Sequence, residues 1–180
     1  RAEYETVYAD AAARGSVAAP TAGLHFTDEL LAELSARGVR REAVVLHVGA
    51  GTFKPVDSAT LGEHPMHSER MFVPPATLAM LRESPRPRVV AVGTTVVRAL
   101  ESVPADAGAG GWGGETSILI APGHAFRNVD AMLTNFHLPR STLLALVGAF
   151  VGLERLKELY ALAQREGYSF YSFGDAMLIA

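Results

Sequence analysis

Apolar residues fall along this chain in short unbroken runs, separated by longer segments in which they recur every third or fourth position. That alternation is the signature of buried strands interleaved with amphipathic helices. Thr27 is a good N-cap for a helix carrying Leu30, Leu31 and Leu34 on its inner face, with Gly38 as its C′ stop. Residues 43–48 and 71–73 read as strands, and Pro74-Pro75 opens a helix through Leu78 and Leu81. Residues 89–92 form the next strand, and 96–101 the next helix. Strands follow at 117–120 and 131–134, helices at 142–151 (capped by Ser141) and 154–165, and a last strand at 176–179. Residues 1–14 are polar and helix-like, with Tyr4 and Tyr8 one turn apart, and 16–19 are extended. The Gly- and Ala-rich stretch 105–114 reads as a flexible loop.

Strands alternating with helices imply an α/β fold, a mostly parallel sheet or barrel with surrounding helices. At 180 residues, 49% apolar and 19% charged, the chain fits a single α/β domain over 1–180 with a real core. It opens on Arg1, directly in helix-like sequence, so it is expected to be part of a longer chain. No apolar run is long enough for a bilayer, no signal-peptide pattern is present, and there is no cysteine. These features fit a cytoplasmic protein with no membrane partner and exclude disulfides, a thiol nucleophile and a thiolate metal site. The net charge of −3 argues against a general nucleic-acid coat but leaves room for a local patch holding one RNA.

Candidate chemistry sits where strands give way to loops. In Leu133-Thr134-Asn135-Phe136-His137-Leu138-Pro139-Arg140-Ser141, Asn135, His137 and Arg140 stand out from an apolar background at a strand's carboxyl end. That is where α/β sheets bind ligands. Gly93-Thr94-Thr95 before a helix offers N–H groups and hydroxyls to an anion, with Arg98 one turn further on. His64-Pro65-Met66-His67-Ser68-Glu69 has its imidazoles three apart with a proline between them, unlike the spacing of four in helical zinc sites. General acid–base chemistry, or hydrogen bonding to a polar ligand, is the better reading of this cluster, with no metal. Gly108 to Gly113 satisfies G-x-G-x-x-G but neither follows a strand nor opens a helix, so the dinucleotide reading is rejected. Val44 to Thr52 resembles the first motif of Rossmann-type methyltransferases. However, Phe53 replaces the third glycine and Lys54-Pro55 blocks the helix, which makes that enzyme class the runner-up.

Several longer stretches carry a more specific likeness. Gly15-Ser16-Val17-Ala18-Ala19-Pro20-Thr21-Ala22-Gly23-Leu24-His25-Phe26-Thr27 resembles the signature of the S-adenosylmethionine:tRNA ribosyltransferase-isomerases of queuosine biosynthesis. So do Leu46-His47-Val48-Gly49-Ala50-Gly51-Thr52-Phe53, Met66 to Glu69, Val92 to Thr95, Leu133 to Leu144 and Gly174 to Ile179, in the family's order. Glu5, Val96 and Arg140 depart from the family's usual glutamine, serine and lysine. The stretch around residue 110 is expanded, and the N-terminal portion with its small inserted β-barrel is absent. The chain thus resembles the C-terminal half of the family, part of its main α/β-barrel domain.

The resemblance implies transfer and isomerisation of the ribosyl moiety of S-adenosylmethionine onto 7-aminomethyl-7-deazaguanine in a tRNA anticodon. Epoxyqueuosine-tRNA, adenine and methionine result. S-adenosylmethionine is then a consumed substrate, no cofactor is needed, and the protein is expected to be a monomer. His67, Glu69, His137, His25 and His47 become candidate acids and bases. Thr94, Thr95, Arg98, Asn135, Arg140, Gly49, Gly51 and Thr52 become candidate substrate contacts. A noncatalytic tRNA-binding fragment remains the alternative outside enzymes.

Overall fold

Two small sheets meet on one short helix. The structure, a computed structural model, describes residues 4–9, 19–49, 58 and 60–180. In chain order the first elements are α1 (Asp28–Ala36), β1 (Val45–His47), β2 (Glu69–Val73), α2 (Pro75–Leu81), β3 (Val90–Val92) and α3 (Thr94–Glu101). They are followed by β4 (Trp112–Thr116), β5 (Ala131–Asn135), α4 (Thr142–Val151), α5 (Leu153–Arg165) and β6 (Ala176–Ile179). Short 3₁₀ turns cover Thr21–His25 and Leu61–Glu63. One sheet has the order β1-β2-β4 and is antiparallel throughout. The other has the order β3-β5-β6, with β3 parallel and β6 antiparallel to β5.

The fold is therefore mixed α/β, but the described strands do not make the mostly parallel sheet expected from their alternation with helices. Among the described residues only β3 and β5 run parallel. The alternation was real, but β2 and β4 are joined to antiparallel neighbours, which needs no crossover geometry.

The core explains the central helix. β2 alternates strictly, burying Glu69, Met71 and Val73 and exposing Arg70 and Phe72. On α3, Thr94, Val97, Arg98, Ala99, Leu100 and Glu101 are all buried, because the helix packs against β1, β2, β3 and β5. Val73, Leu78, Val97, Met132, Leu146 and Val147 are at most 1% exposed. Burying each such side chain contributes about 1.5–3 kcal/mol.

A helix whose charged residues are buried must answer for their charges. Arg98 ion-pairs with Glu69 of β2. Glu101 accepts from the backbone N–H groups of Arg127, Asn128 and Val129 at 3.0, 2.9 and 3.1 Å, fixing the approach to β5.

Local signals account for the element ends. The Thr27 hydroxyl accepts from Leu30 N–H at 3.2 Å, Gly38 has φ 81°, and the Ser141 hydroxyl accepts from Leu144 N–H at 3.1 Å. Gly93 at φ 98°, ψ 147° occupies a region essentially closed to other residues. Its N–H donates to Leu133 O at 2.8 Å, so the β3–β5 ladder continues up to the sharp turn into α3.

Four expectations change. Residues 112–114 are strand, not loop: Gly113 lies opposite Phe72, and a Cβ on Gly114 would come within 2.7 Å of the Trp112 ring. These glycines make room for aromatic rings lying on the sheet, a role that composition disguises as flexibility. Residues 117–120 are not a strand, because their backbone bonds to side chains. Ile118 N–H donates to Thr116 Oγ1, and Ile118 O accepts from Arg98 Nε. α1 has no fully buried residue, and Leu30 is exposed. Of the stretch expected to be helical at 1–14, the described residues 4–9 make turns, with Ala9 N–H donating to Thr6 O. The extended reading of 16–19 lies mostly outside the described residues.

No helix among the described residues is long and apolar enough to cross a membrane.

Candidate functional site

The carboxyl ends of the parallel pair β3 and β5 carry the clearest cluster. Asn135, the last residue of β5, is 3% exposed, so its carboxamide must find partners inside the protein. It finds two on the Thr21–His25 turn. The Thr21 hydroxyl donates to Asn135 Oδ1 at 3.1 Å, and Asn135 Nδ2 lies 3.2 Å from His25 Nε2. The turn is drawn tight by Gly23 N–H donating to Pro20 O at 2.7 Å. A Cβ at Gly23 would collide with Tyr8 Oη at 1.8 Å and Thr6 Cγ2 at 2.9 Å, so glycine lets the 4–9 segment close over it.

The same turn touches the start of α3, since a Cβ on Gly93 would stand 3.8 Å from Ala22 Cβ. Gly93, just before α3, therefore lies beside the turn that carries Thr21 and His25, both bonded to Asn135. Thr94 is buried, Thr95 half-buried, and His25 exposed. No side chain among the described residues caps α3, which leaves its first N–H groups without a partner inside the helix.

His137 lies just past Asn135 but is held differently. Its Nε2 is hydrogen-bonded to Thr134 Oγ1 at 2.8 Å, and its backbone N–H donates to the Tyr160 hydroxyl of α5 at 2.9 Å. Desolvation lowers its pKa to about 4, and burial pushes Tyr160 up to about 12. His137 is thus neutral at physiological pH and suits hydrogen bonding better than delivering a proton. Phe136 packs ring to ring with Tyr160, Tyr168 and Phe170, and Phe173 with Tyr4, while Tyr168, Tyr171 and Phe173 remain exposed.

The His137 shift has a sign that can be tested. Between pH 6.5 and 4 the unfolded chain binds a proton at position 137 that the native chain refuses. Stability therefore falls as pH drops through that window, by up to about 3 kcal/mol, and is unaffected by this group above it. Urea denaturation at pH 7 and pH 4.5 should show a smaller acid loss in His137→Gln than in the parent chain. Equal losses would remove the assignment.

The β1-β2-β4 sheet holds the second group. The register sets His47 opposite Arg70, which brings His67 and Glu69 to the end of the sheet where Val48 and Gly49 leave it. His67 is exposed and His47 half-buried. Glu69, expected beside His67 as an acid or base, points inward instead and meets Arg98, expected to reach a substrate anion. Their side chains are 0% and 4% exposed. Arg98 Nη2 is buried without a hydrogen-bond partner among the described residues. Arg140 is exposed at φ 57° in the turn before α4. Gly51 and Thr52 lie outside the described residues. No cluster of three His, Asp or Glu among the described residues is placed to hold a metal ion.

Thr21, Thr134 and Tyr160 were not singled out from sequence. Thr134 carried a faint signal, three residues before a histidine at a strand end. Thr21 and Tyr160 carried none, because their partners are remote in the chain.

Comparison with known proteins bears on what such a site serves. Residues 1–179 match a family described as queuosine biosynthesis protein. The chain is 55% identical over 180 residues to the S-adenosylmethionine:tRNA ribosyltransferase-isomerase of Thiobacillus denitrificans, covering 99% of this chain and 52% of that protein. It is 56% identical to the protein of the same name from Anaeromyxobacter dehalogenans, with the same coverage. The crystal structure of S-adenosylmethionine tRNA ribosyltransferase from Thermotoga maritima is 44% identical, with a TM-score of 0.72 over 88% of this chain and 51% of that one. The chain spans about half the length of the relatives it matches.

Proposed function

Because this chain belongs to the queuosine biosynthesis protein family, we propose that it is the site-bearing half of an S-adenosylmethionine:tRNA ribosyltransferase-isomerase. The observation that carries the reading is the meeting of Thr21 and His25 with Asn135 at the end of β5, beside Gly93 at the end of β3. The substrates are S-adenosylmethionine, consumed as a ribosyl donor, and a tRNA anticodon carrying 7-aminomethyl-7-deazaguanine. No cofactor takes part, and the protein works as a cytoplasmic monomer. The two small sheets are segments of an α/β barrel completed by the other half of the relatives' chain.

The chemistry needs a base and an acid. The sulfonium acidifies the adjacent ribose carbon, whose proton must be removed, and adenine departs more readily when a donor reaches one of its ring nitrogens. His25, exposed but anchored at one nitrogen, suits proton transfer. His67 and His47 offer the same chemistry from the other sheet, with Glu69 and Arg98 supporting them from beneath. His137, neutral and bonded to Thr134, suits a ribose hydroxyl. Thr94, Thr95 and the open N–H groups of α3 suit a carboxylate. Arg140 faces solvent, where an RNA phosphate is accessible, and the glycine-rich sequence of Gly49, Gly51 and Thr52 suits contact with the donor.

Product analysis tests this. Incubated with S-adenosylmethionine and tRNA bearing the aminomethyl base, together with the other half of a relative, the chain should yield free adenine and methionine in equal amounts. S-adenosylhomocysteine would mean a methyltransferase. Salt-dependent tRNA binding with neither product would mean a binding module.

A further inference from the structure

We propose that the outer face of the β1-β2-β4 sheet is an RNA platform, on which Phe72 stacks an unpaired base and Arg70 meets its phosphate. The proposal rests on the ribosyl-transfer reading, in which a tRNA anticodon is one substrate.

Strand pairing assembles the platform. Residues directly opposite in an antiparallel pair share a face, with Cβ atoms about 5 Å apart. Val45, Phe72 and Gly113 therefore form one row across the outer face, and His47, Arg70 and Glu115 form the next. Alternation along β2 turns Met71 and Val73 into the core and leaves Arg70 and Phe72 in solvent. Phe72 is 44% exposed, so much of its ring is open to a partner.

The chain entering β4 leaves that ring uncovered. A Cβ at Gly113 would stand 3.6 Å from Phe72 Cδ2, and one at Gly111 would stand 3.2 Å from Cε2 and Cζ. Glycine at both places means that no side chain from this neighbour stands beside the ring.

Charge decides which partner fits. Arg70 is exposed and makes no ion pair among the described residues. Glu115, the carboxylate in its row, instead accepts from the Ser68 hydroxyl at 2.7 Å. A protein surface laid over Phe72 would dehydrate the guanidinium with no counter-charge from this chain, which costs free energy. Single-stranded RNA supplies both needs, because every base has a π-face and every phosphate a negative charge. Arg70 lies two positions from Phe72 along the strand, about 7 Å away, so one nucleotide can reach both. His47 stands in the same row as Arg70, which sets the platform beside the acid–base candidates of this sheet.

Fluorescence anisotropy of a labelled anticodon stem-loop RNA, titrated with the chain at several salt concentrations, tests this. Phe72→Leu keeps an apolar side chain but removes the ring, and should weaken binding roughly 5- to 150-fold. Phe72→Tyr should hold the parent affinity. Arg70→Gln, on the solvent face, should flatten the slope of log affinity against log salt by about 0.7, the share of one single-strand phosphate. It carries the test if circular dichroism shows Phe72→Leu to be unfolded. Affinity indifferent to the ring, or a salt slope indifferent to the charge, would overturn the proposal. So would a loss confined to S-adenosylmethionine binding or to association with the other half of a relative.

Adenine release by the unsubstituted chain, joined by that other half, separates the two readings. Release with RNA binding that ignores Phe72 and Arg70 would remove the platform alone. RNA binding that follows both residues, without release, would keep the platform and remove the transferase assignment.

Discussion

Glu69→Ala is expected to cost about 3–5 kcal/mol, a large part of the stability of an ordinary domain. The substitution leaves the Arg98 guanidinium in the interior, 4% exposed, with its nearest counter-charge gone. One of its nitrogens already lacks a hydrogen-bond partner among the described residues, so little local compensation is at hand. Replacing both members by methionine should recover much of the loss, because apolar side chains of similar volume avoid the cost of dehydrating two charges. Urea denaturation of the parent, Glu69→Ala and Glu69→Met/Arg98→Met checks this. A single-variant loss under 1 kcal/mol, or a double variant less stable than the single one, would contradict the account. The pair also ties β2 to α3, so the single variant should disturb His67, two residues away.

His25→Ala should lower adenine release by about 10²–10⁴-fold, the usual contribution of a positioned acid or base. The thermal midpoint should fall only modestly, because the ring is exposed and the cost is limited to the bond it makes with buried Asn135 Nδ2. His67→Ala is the natural comparison. It too is exposed, and it sits at the end of the other sheet. A greater loss in His67→Ala than in His25→Ala would shift the acid–base role to that sheet. Wild-type release in both would remove exposed histidines from the mechanism.

What the sequence disclosed was governed by distance along the chain. The caps Thr27 and Ser141, the Gly38 stop and the turn at Gly93 were all readable, because each answers to residues within one helical turn. The strand end at Asn135 was readable too, as a polar residue closing an apolar run. The pairings that make the site were not. Thr21 and Asn135 are 114 residues apart, His25 and Asn135 are 110 apart, and Glu69 and Arg98 are 29 apart. Nothing in a local pattern says that Glu69 faces inward, since Glu69-Arg70-Met71 reads equally well in either register until β2 is paired. The glycines at 113 and 114 misled for a different reason. Their role is to accommodate the rings of Phe72 and Trp112, and composition alone does not separate that from flexibility.

The most direct test follows the ribose. S-adenosylmethionine labelled in its ribosyl carbons is incubated with tRNA carrying the aminomethyl base, this chain, and the other half of a relative such as that of Thiobacillus denitrificans. Label should become bound to the tRNA in step with released adenine, and this should be lost when His25 is replaced by alanine. Label remaining on a small molecule, with adenine still attached to it, would contradict the assignment of this chain to ribosyl transfer.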